Sequence, residues 1–118
     1  MEISELAAII FRHCYQVPSI KAAYIFGSRI KGTHRQDSDV DIAIEITNQK
    51  GGPATLSDWM HFDDETLRKA IEFELQIPLD MQWYGGIKET PTVHRGLVES
   101  SVCVYAKSPL HQFRAALE

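Results

Sequence analysis

The chain has 118 residues, 44% hydrophobic and 24% charged, a balance that fits one folded domain and excludes whole-chain disorder. Twelve basic against sixteen acidic residues leave a net charge of −4, which argues against direct nucleic-acid binding. No stretch approaches the roughly 20 apolar residues of a membrane span, and Met1-Glu2-Ile3-Ser4-Glu5 lacks the basic start of a signal peptide.

Cys14 and Cys103 have no metal or redox spacing, so two reduced core thiols in a cytoplasmic protein are expected. Ile3, Leu6, Ala7, Ile10, Phe11 and Cys14 follow helical spacing, and predict a one-faced helix over residues 3–14. Glu2 and Glu5 suit its start, and Pro18 closes it. Residues 22–26 read as a short buried strand. Gly27-Ser28 then turns the chain, Arg29-Ile30-Lys31 begins a short helix, and Gly32 stops it. Next, Val40, Ile42, Ile44 and Ile46 alternate with Asp41, Ala43 and Glu45, as in a strand with one apolar and one acidic face.

Residues 48–58 read as a loop, long enough for a mobile flap. Asp63, Asp64 and Glu65 open a helix whose inner face is Leu67, Ala70, Ile71 and Leu75. A third strand follows Pro78 over residues 79–84. Leu79, Met81 and Trp83 share one of its faces, and Asp80, Gln82 and Tyr84 the other. Thr90-Pro91 starts another helix, and residues 102–105 form a fourth strand. The tail from Pro109 is weakly helical, and Leu117-Glu118 carry no argument. The alternation predicts an α/β (α+β) fold with a small mixed sheet of about four strands. Helices pack on one face, and the acids line a cleft on the other.

Asp39 and Asp41 leave the same strand face roughly 7 Å apart at the backbone, so their carboxylates can meet at one point. Two carboxylates there repel by about 4 kcal/mol at 4 Å and an effective dielectric near 20. A hard cation, Mg²⁺ or Mn²⁺, relieves that repulsion. Upstream, Gly27-Ser28 puts main-chain N–H groups at a strand end and a helix start, where an anion is favoured. One segment thus offers a phosphate cradle and the next a metal clamp. Each alone is more often an ordinary turn. Gly27 and Gly32 have P-loop spacing, but Thr33 stands where that motif needs lysine.

The run Phe26-Gly27-Ser28-Arg29-Ile30-Lys31-Gly32, continued at Asp37-Ser38-Asp39-Val40-Asp41, resembles the signature of the DNA polymerase β-like nucleotidyltransferases. In size and in the spacing of Gly-Ser to Asp-x-Asp it is similar to the minimal nucleotidyltransferase (MNT) family, and its antitoxin members above all. The resemblance implies a third carboxylate, for which Leu79-Asp80-Met81 fits; Glu74 falls inside a helix instead. It implies that Asp39, Asp41 and Asp80 are catalytic and hold two Mg²⁺ ions, with Mn²⁺ an alternative. It also implies that Gly27 and Ser28 cradle the phosphates of ATP. Arg29, Lys31 and Arg35 are candidates to neutralise those phosphates, each reading equally as a solvated surface cation; Arg29 ranks first because it lies in the first helical turn. Tyr84, beside Gly85-Gly86, is the candidate for base stacking, and His34 reads as a plain loop residue.

The chain is expected to be too short to bind an acceptor alone, so a partner or a second copy must present it. The family's usual partner is a small helical HEPN protein encoded nearby, to a tyrosine of which antitoxin members transfer AMP. Two alternatives stand beside a protein adenylyltransferase antitoxin. One is an antitoxin that masks its partner without catalysis. The other is the catalytic subunit of a two-component small-molecule nucleotidyltransferase.

Overall fold

The computed structural model describes residues 1–35 and 38–107. Nine elements follow in order: α1 (Ile3–Tyr15), β1 (Ile20–Phe26), α2 (Ser28–Lys31), β2 (Val40–Ile46), α3 (Leu56–His61), α4 (Asp64–Leu75), β3 (Leu79–Trp83), α5 (Pro91–Glu99) and β4 (Ser101–Ala106). The expected weakly helical tail from Pro109 lies outside the described residues.

The strands form one mixed sheet in the order β3-β2-β1-β4. β1 is antiparallel to both β2 and β4, and β2 runs parallel to β3. The parallel pair needs a crossover, and α3 and α4 supply it. β1 and β2 occupy the middle because their apolar residues can be covered from both sides.

The main core lies on one face. Leu6, Ile10 and Cys14 of α1 and Leu67, Ile71 and Leu75 of α4 recur every fourth residue and pack onto Ile25, Val40, Ile42 and Ile44. Asp63 caps α4 by accepting from the Thr66 N–H at 3.1 Å. Ala70, expected on the inner face, is exposed; the buried stripe follows only the i, i+4, i+8 row. Phe11 is also largely exposed, although its ring meets Tyr15 and Tyr105.

The second face is partly covered. α5 lays Val93 and Leu97 over Ala22, Tyr24 and Phe26 of β1, with Ala43 and Tyr84 in the same cluster. Gly96 permits this close approach, since a Cβ there would stand 3.0 Å from the Phe26 ring. The open part of the face is thereby narrowed to the β2–β3 side, where Asp41 and Asp80 lie.

Residues 48–58 differ from the expected flap. The Thr55 and Asp58 side chains form a reciprocal cap that starts α3 at Leu56. Asn48 Oδ1 accepts from the Lys50 and Gly52 amides, both at 2.9 Å, and Thr47 bridges to Pro53. Residues 48–55 do form a loop, but a side-chain hydrogen-bonded turn orders it and a capping box ends it three residues early.

Among the described residues no helix is long and apolar enough to cross a membrane. Both cysteines are free thiols, and burial pushes Cys14 up to about 12, leaving it a core residue without thiolate chemistry at neutral pH.

Candidate active site

Strand register builds the site. Asp41 of β2 pairs with Phe26 on its antiparallel side and with Asp80 on its parallel side. Two carboxylates therefore stand next to each other on neighbouring strands, and Gly27 follows immediately at the end of β1. Parallel strands in register project equivalent residues to the same face, so the Asp41–Asp80 meeting follows from the backbone.

Electrostatics reports the crowding. The Asp41 carboxyl is raised above its ordinary value, first by burial, then by the Asp80 charge and a hydrogen bond to the Asp80 side chain, and last by the Asp39 charge. Asp80 is exposed, and its Oδ2 also accepts from Gln82 Nε2 at 3.4 Å. Asp39 lies just before β2, exposed at the mouth of the pair.

Gly27 closes against this pair. Its φ is +78° and its ψ −151°, a conformation that side-chain-bearing residues avoid. A Cβ built there would overlap Asp41 Oδ2 and stand 3.2 Å from Asp41 Cγ. The turn from β1 into α2 thus presses main chain directly onto the carboxylate. Ser28 follows as the first residue of α2, half-buried.

Arg29 does not project from the surface. It is only 6% exposed, and its Nη2 donates to the Ser38 carbonyl at 2.7 Å. Lys31, another candidate cation, pairs with Glu99 of α5 at 2.5 Å, and Arg35 is exposed. His34 is exposed, as expected of a plain loop residue.

The base-stacking assignment of Tyr84 is corrected. The ring is 3% exposed, meets Tyr24 edge-on and stacks on His94, and its hydroxyl shares a 2.7 Å hydrogen bond with His94 Nδ1. Its alternation with Asp80 and Gln82 does place it on the cleft face, but α5 has closed over that end. Glu74 sits on the opposite side, paired with Arg12 and His13 across α1 and α4.

Ser38 and Gln82 were placed by the sequence reading but not singled out as site residues. Gln82 carried a signal, since it lies two residues after Asp80 on the same strand face. Ser38 carried none beyond standing before Asp39, because its part in the site is played by its main-chain carbonyl.

The donor set suits a hard divalent cation. It is all oxygen, it is partly desolvated, and partial burial followed by repulsion from Asp80 and Asp39 disfavours the charged form of half-buried Asp41. Among the described residues no three acidic, histidine or cysteine side chains form a ready-made ligand cluster. The backbone holds the Asp41–Asp80 pair ready, with Asp39 close enough for its charge to act on Asp41.

The sequence matches the family described as "Polymerase beta, Nucleotidyltransferase" over residues 10–110. The chain belongs to this family. Its reaction class is nucleotidyl transfer. Among curated proteins, none matches the sequence. Among solved structures, the fold is similar to a toxin-antitoxin crystallised with AMP-PNP, with a TM-score of 0.65, 16% identity, and coverage of 98% of this chain and 82% of that one. It is similar to the toxin-antitoxin MntA-HepT, with a TM-score of 0.61, 14% identity, and coverage of 97% and 80%. It also resembles a Shewanella oneidensis complex of a tri-AMPylated HEPN toxin with its MNT antitoxin, with a TM-score of 0.62, 14% identity, and coverage of 97% and 80%. At these identities the likeness establishes the nucleotidyltransferase fold.

Proposed function

We propose that this nucleotidyltransferase moves AMP from ATP onto a hydroxyl of a small helical HEPN-type partner, as the antitoxin of a toxin–antitoxin pair. The observation that carries the proposal is the Asp41–Asp80 pair set across parallel strands, with Gly27 main chain pressed against it. Resemblance in fold to toxin–antitoxin complexes, one with AMP-PNP and one with an AMPylated HEPN toxin, supports the choice of nucleotide and partner.

Asp39, Asp41 and Asp80 would hold Mg²⁺, or Mn²⁺ in its place. When bound, the metal supplies Lewis-acid polarisation of the triphosphate and offsets the repulsion of the carboxylates. The chain's own residues do the rest. Gly27 and Ser28 offer main-chain N–H groups to the phosphates, which the missing side chain of Gly27 lets approach. Asp80, the exposed member of the pair, receives the proton of the acceptor hydroxyl. The hydroxyl oxygen bonds to the α-phosphorus as the bond to the departing pyrophosphate breaks. The open β2–β3 side of the sheet leaves room for an acceptor brought by another protein. The protein would act in the cytoplasm.

The test is the intact mass of the adjacently encoded helical protein after incubation with this chain, ATP and Mg²⁺, beside an Asp39→Asn control. AMP-sized additions seen only with the native chain support the proposal. An unchanged mass with tight complex formation would refute transfer and favour a masking antitoxin. A partner that is harmless when expressed alone would favour a small-molecule transferase.

A further inference from the structure

Arg29 is a charged residue buried in the first turn of a four-residue helix, and its location needs a reason. Burying a guanidinium is costly unless its hydrogen bonds are made inside the protein. Its Nη2 reaches the carbonyl of Ser38 at 2.7 Å, and Ser38 is the residue before Asp39. The Ser38 carbonyl and the Asp39 amide belong to one planar peptide, so holding the carbonyl holds the plane from which Asp39 starts and leaves its own φ to be limited from the other side. Ser38 is held a second time, since its hydroxyl accepts from the Arg35 amide at 2.9 Å and its own amide donates to the Arg35 carbonyl at 3.1 Å. On the following residues, Val40 N–H donates to the Pro78 carbonyl at 3.0 Å, which ties the start of β2 to the start of β3. The segment entering β2 is therefore secured on both sides of Asp39, while the Asp39 side chain itself stays exposed.

We propose that Arg29 is a positioning residue: from within the protein it fixes the Ser38–Asp39 peptide, and so the aim of Asp39 at the Asp41–Asp80 pair, without touching the phosphates. This rests on the reading of Asp39 as a metal-holding acid. A guanidinium that neutralised phosphates would have to reach the open mouth of the site. This one lies in the interior, with Nη2 engaged on a main-chain carbonyl. Lysine cannot stand in for it. A lysine keeps the charge but lacks the planar fork, and its shorter ammonium tip would not span the same path.

The experiment measures Mn²⁺ affinity by the paramagnetic signal of the free ion, and separately measures binding of a fluorescent ATP analogue in EDTA. The native chain, Arg29→Lys, Ser38→Ala and Asp39→Asn are compared, with thermal melts confirming that each is folded. Arg29→Lys is expected to weaken Mn²⁺ binding by about 10–100-fold, as loss of an outer-shell support does, and to leave metal-free nucleotide binding unchanged. Ser38→Ala keeps Arg29 and removes one of the other holds on the same residue; it must shift Mn²⁺ affinity the same way by a smaller factor. It serves alone if Arg29→Lys fails to fold. Native-like Mn²⁺ affinity in either folded variant, with only a lower melting temperature, overturns the proposal and leaves Arg29 a purely structural residue. Lost metal-free nucleotide binding in Arg29→Lys overturns it in favour of a direct phosphate contact. If the native chain takes up no Mn²⁺, or Asp39→Asn binds it equally well, the metal reading fails and the role given to Arg29 falls with it.

Discussion

Gly27 and Gly32 provide a matched pair of perturbations. Both have positive φ, +78° and +75°, and they flank the same short helix. Their surroundings differ. Nothing lies within 4 Å of a Cβ built at Gly32, which adopts an ordinary left-handed conformation with ψ 14°. Alanine there should cost about 1 kcal/mol, the low end of the left-handed penalty. At Gly27 the ψ of −151° belongs to a region that glycine alone occupies, worth about 2 kcal/mol, and the new methyl overlaps Asp41 Oδ2, with Cγ at 3.2 Å and Cβ at 3.4 Å. Relieving that overlap means moving Asp41 off its strand position or shifting β1 from β2, at about another 2 kcal/mol. Gly27→Ala should therefore cost about 3 kcal/mol more than Gly32→Ala, a gap of roughly 12 °C in melting temperature for a chain of this length. Thermal melts with and without Mg²⁺ read both effects, because a displaced Asp41 should also lose any metal-linked stabilisation. Equal destabilisation by the two alanines would refute the reasoning, since the clash with Asp41 is the difference between them.

The pH dependence has a definite sign. Asp41 titrates above its unfolded value, so the folded chain binds the extra proton and this group's contribution to stability is lost as pH rises through the raised value. Asp41→Asn should accordingly raise the melting temperature of metal-free protein at neutral pH, with the advantage closing toward the ordinary carboxylate range; a lower neutral-pH melt would contradict the crowded pair. Asp80→Asn should cut AMP transfer more than about a hundredfold, beyond the 10–100-fold of an outer-shell change, in a mass-resolved time course. Tyr84→Phe leaves His94 without its 2.7 Å partner and should cost about 1–3 kcal/mol by urea unfolding. Its transfer rate should stay native, because Tyr84 is buried under α5; a large rate loss would reinstate a role at the nucleotide.

Alternation made most of the sheet legible. Val40, Ile42, Ile44 and Ile46 are all buried on the α1–α4 face, and Asp41 falls on the other, as a period of two requires. The same rule on β3 put Asp80 and Tyr84 on one face and was correct for both, yet it misled about Tyr84. Periodicity fixes the face of a strand, whereas burial depends on what later packs there. Here Gly96 lets α5 lie close on Phe26, and Val93 and Leu97 share a core with Tyr84. The loop read at 48–58 holds over 48–55 and ends early, at α3, for a related reason. Composition marked residues 48–58 as irregular, but Asn48, Thr55 and Asp58 are the side chains that form turns and caps by bonding to nearby main chain.

The site divides along the same line. Gly27, Asp41 and Asp80 were recognisable because their side-chain identity, or its absence, serves the geometry: strand register sets two carboxylates side by side, and only glycine fits against them. Arg29 was read from its charge and its place in the first helical turn, as a cation near phosphates. Its surroundings add a second reading, because a guanidinium 6% exposed donates to the Ser38 carbonyl, a main-chain partner. No residue type marks such a contact, since any residue at position 38 other than a chain-breaking one presents the same carbonyl. The acids of this cleft are thus written in the sequence as side chains, while their aim depends on backbone contacts that the sequence does not spell out.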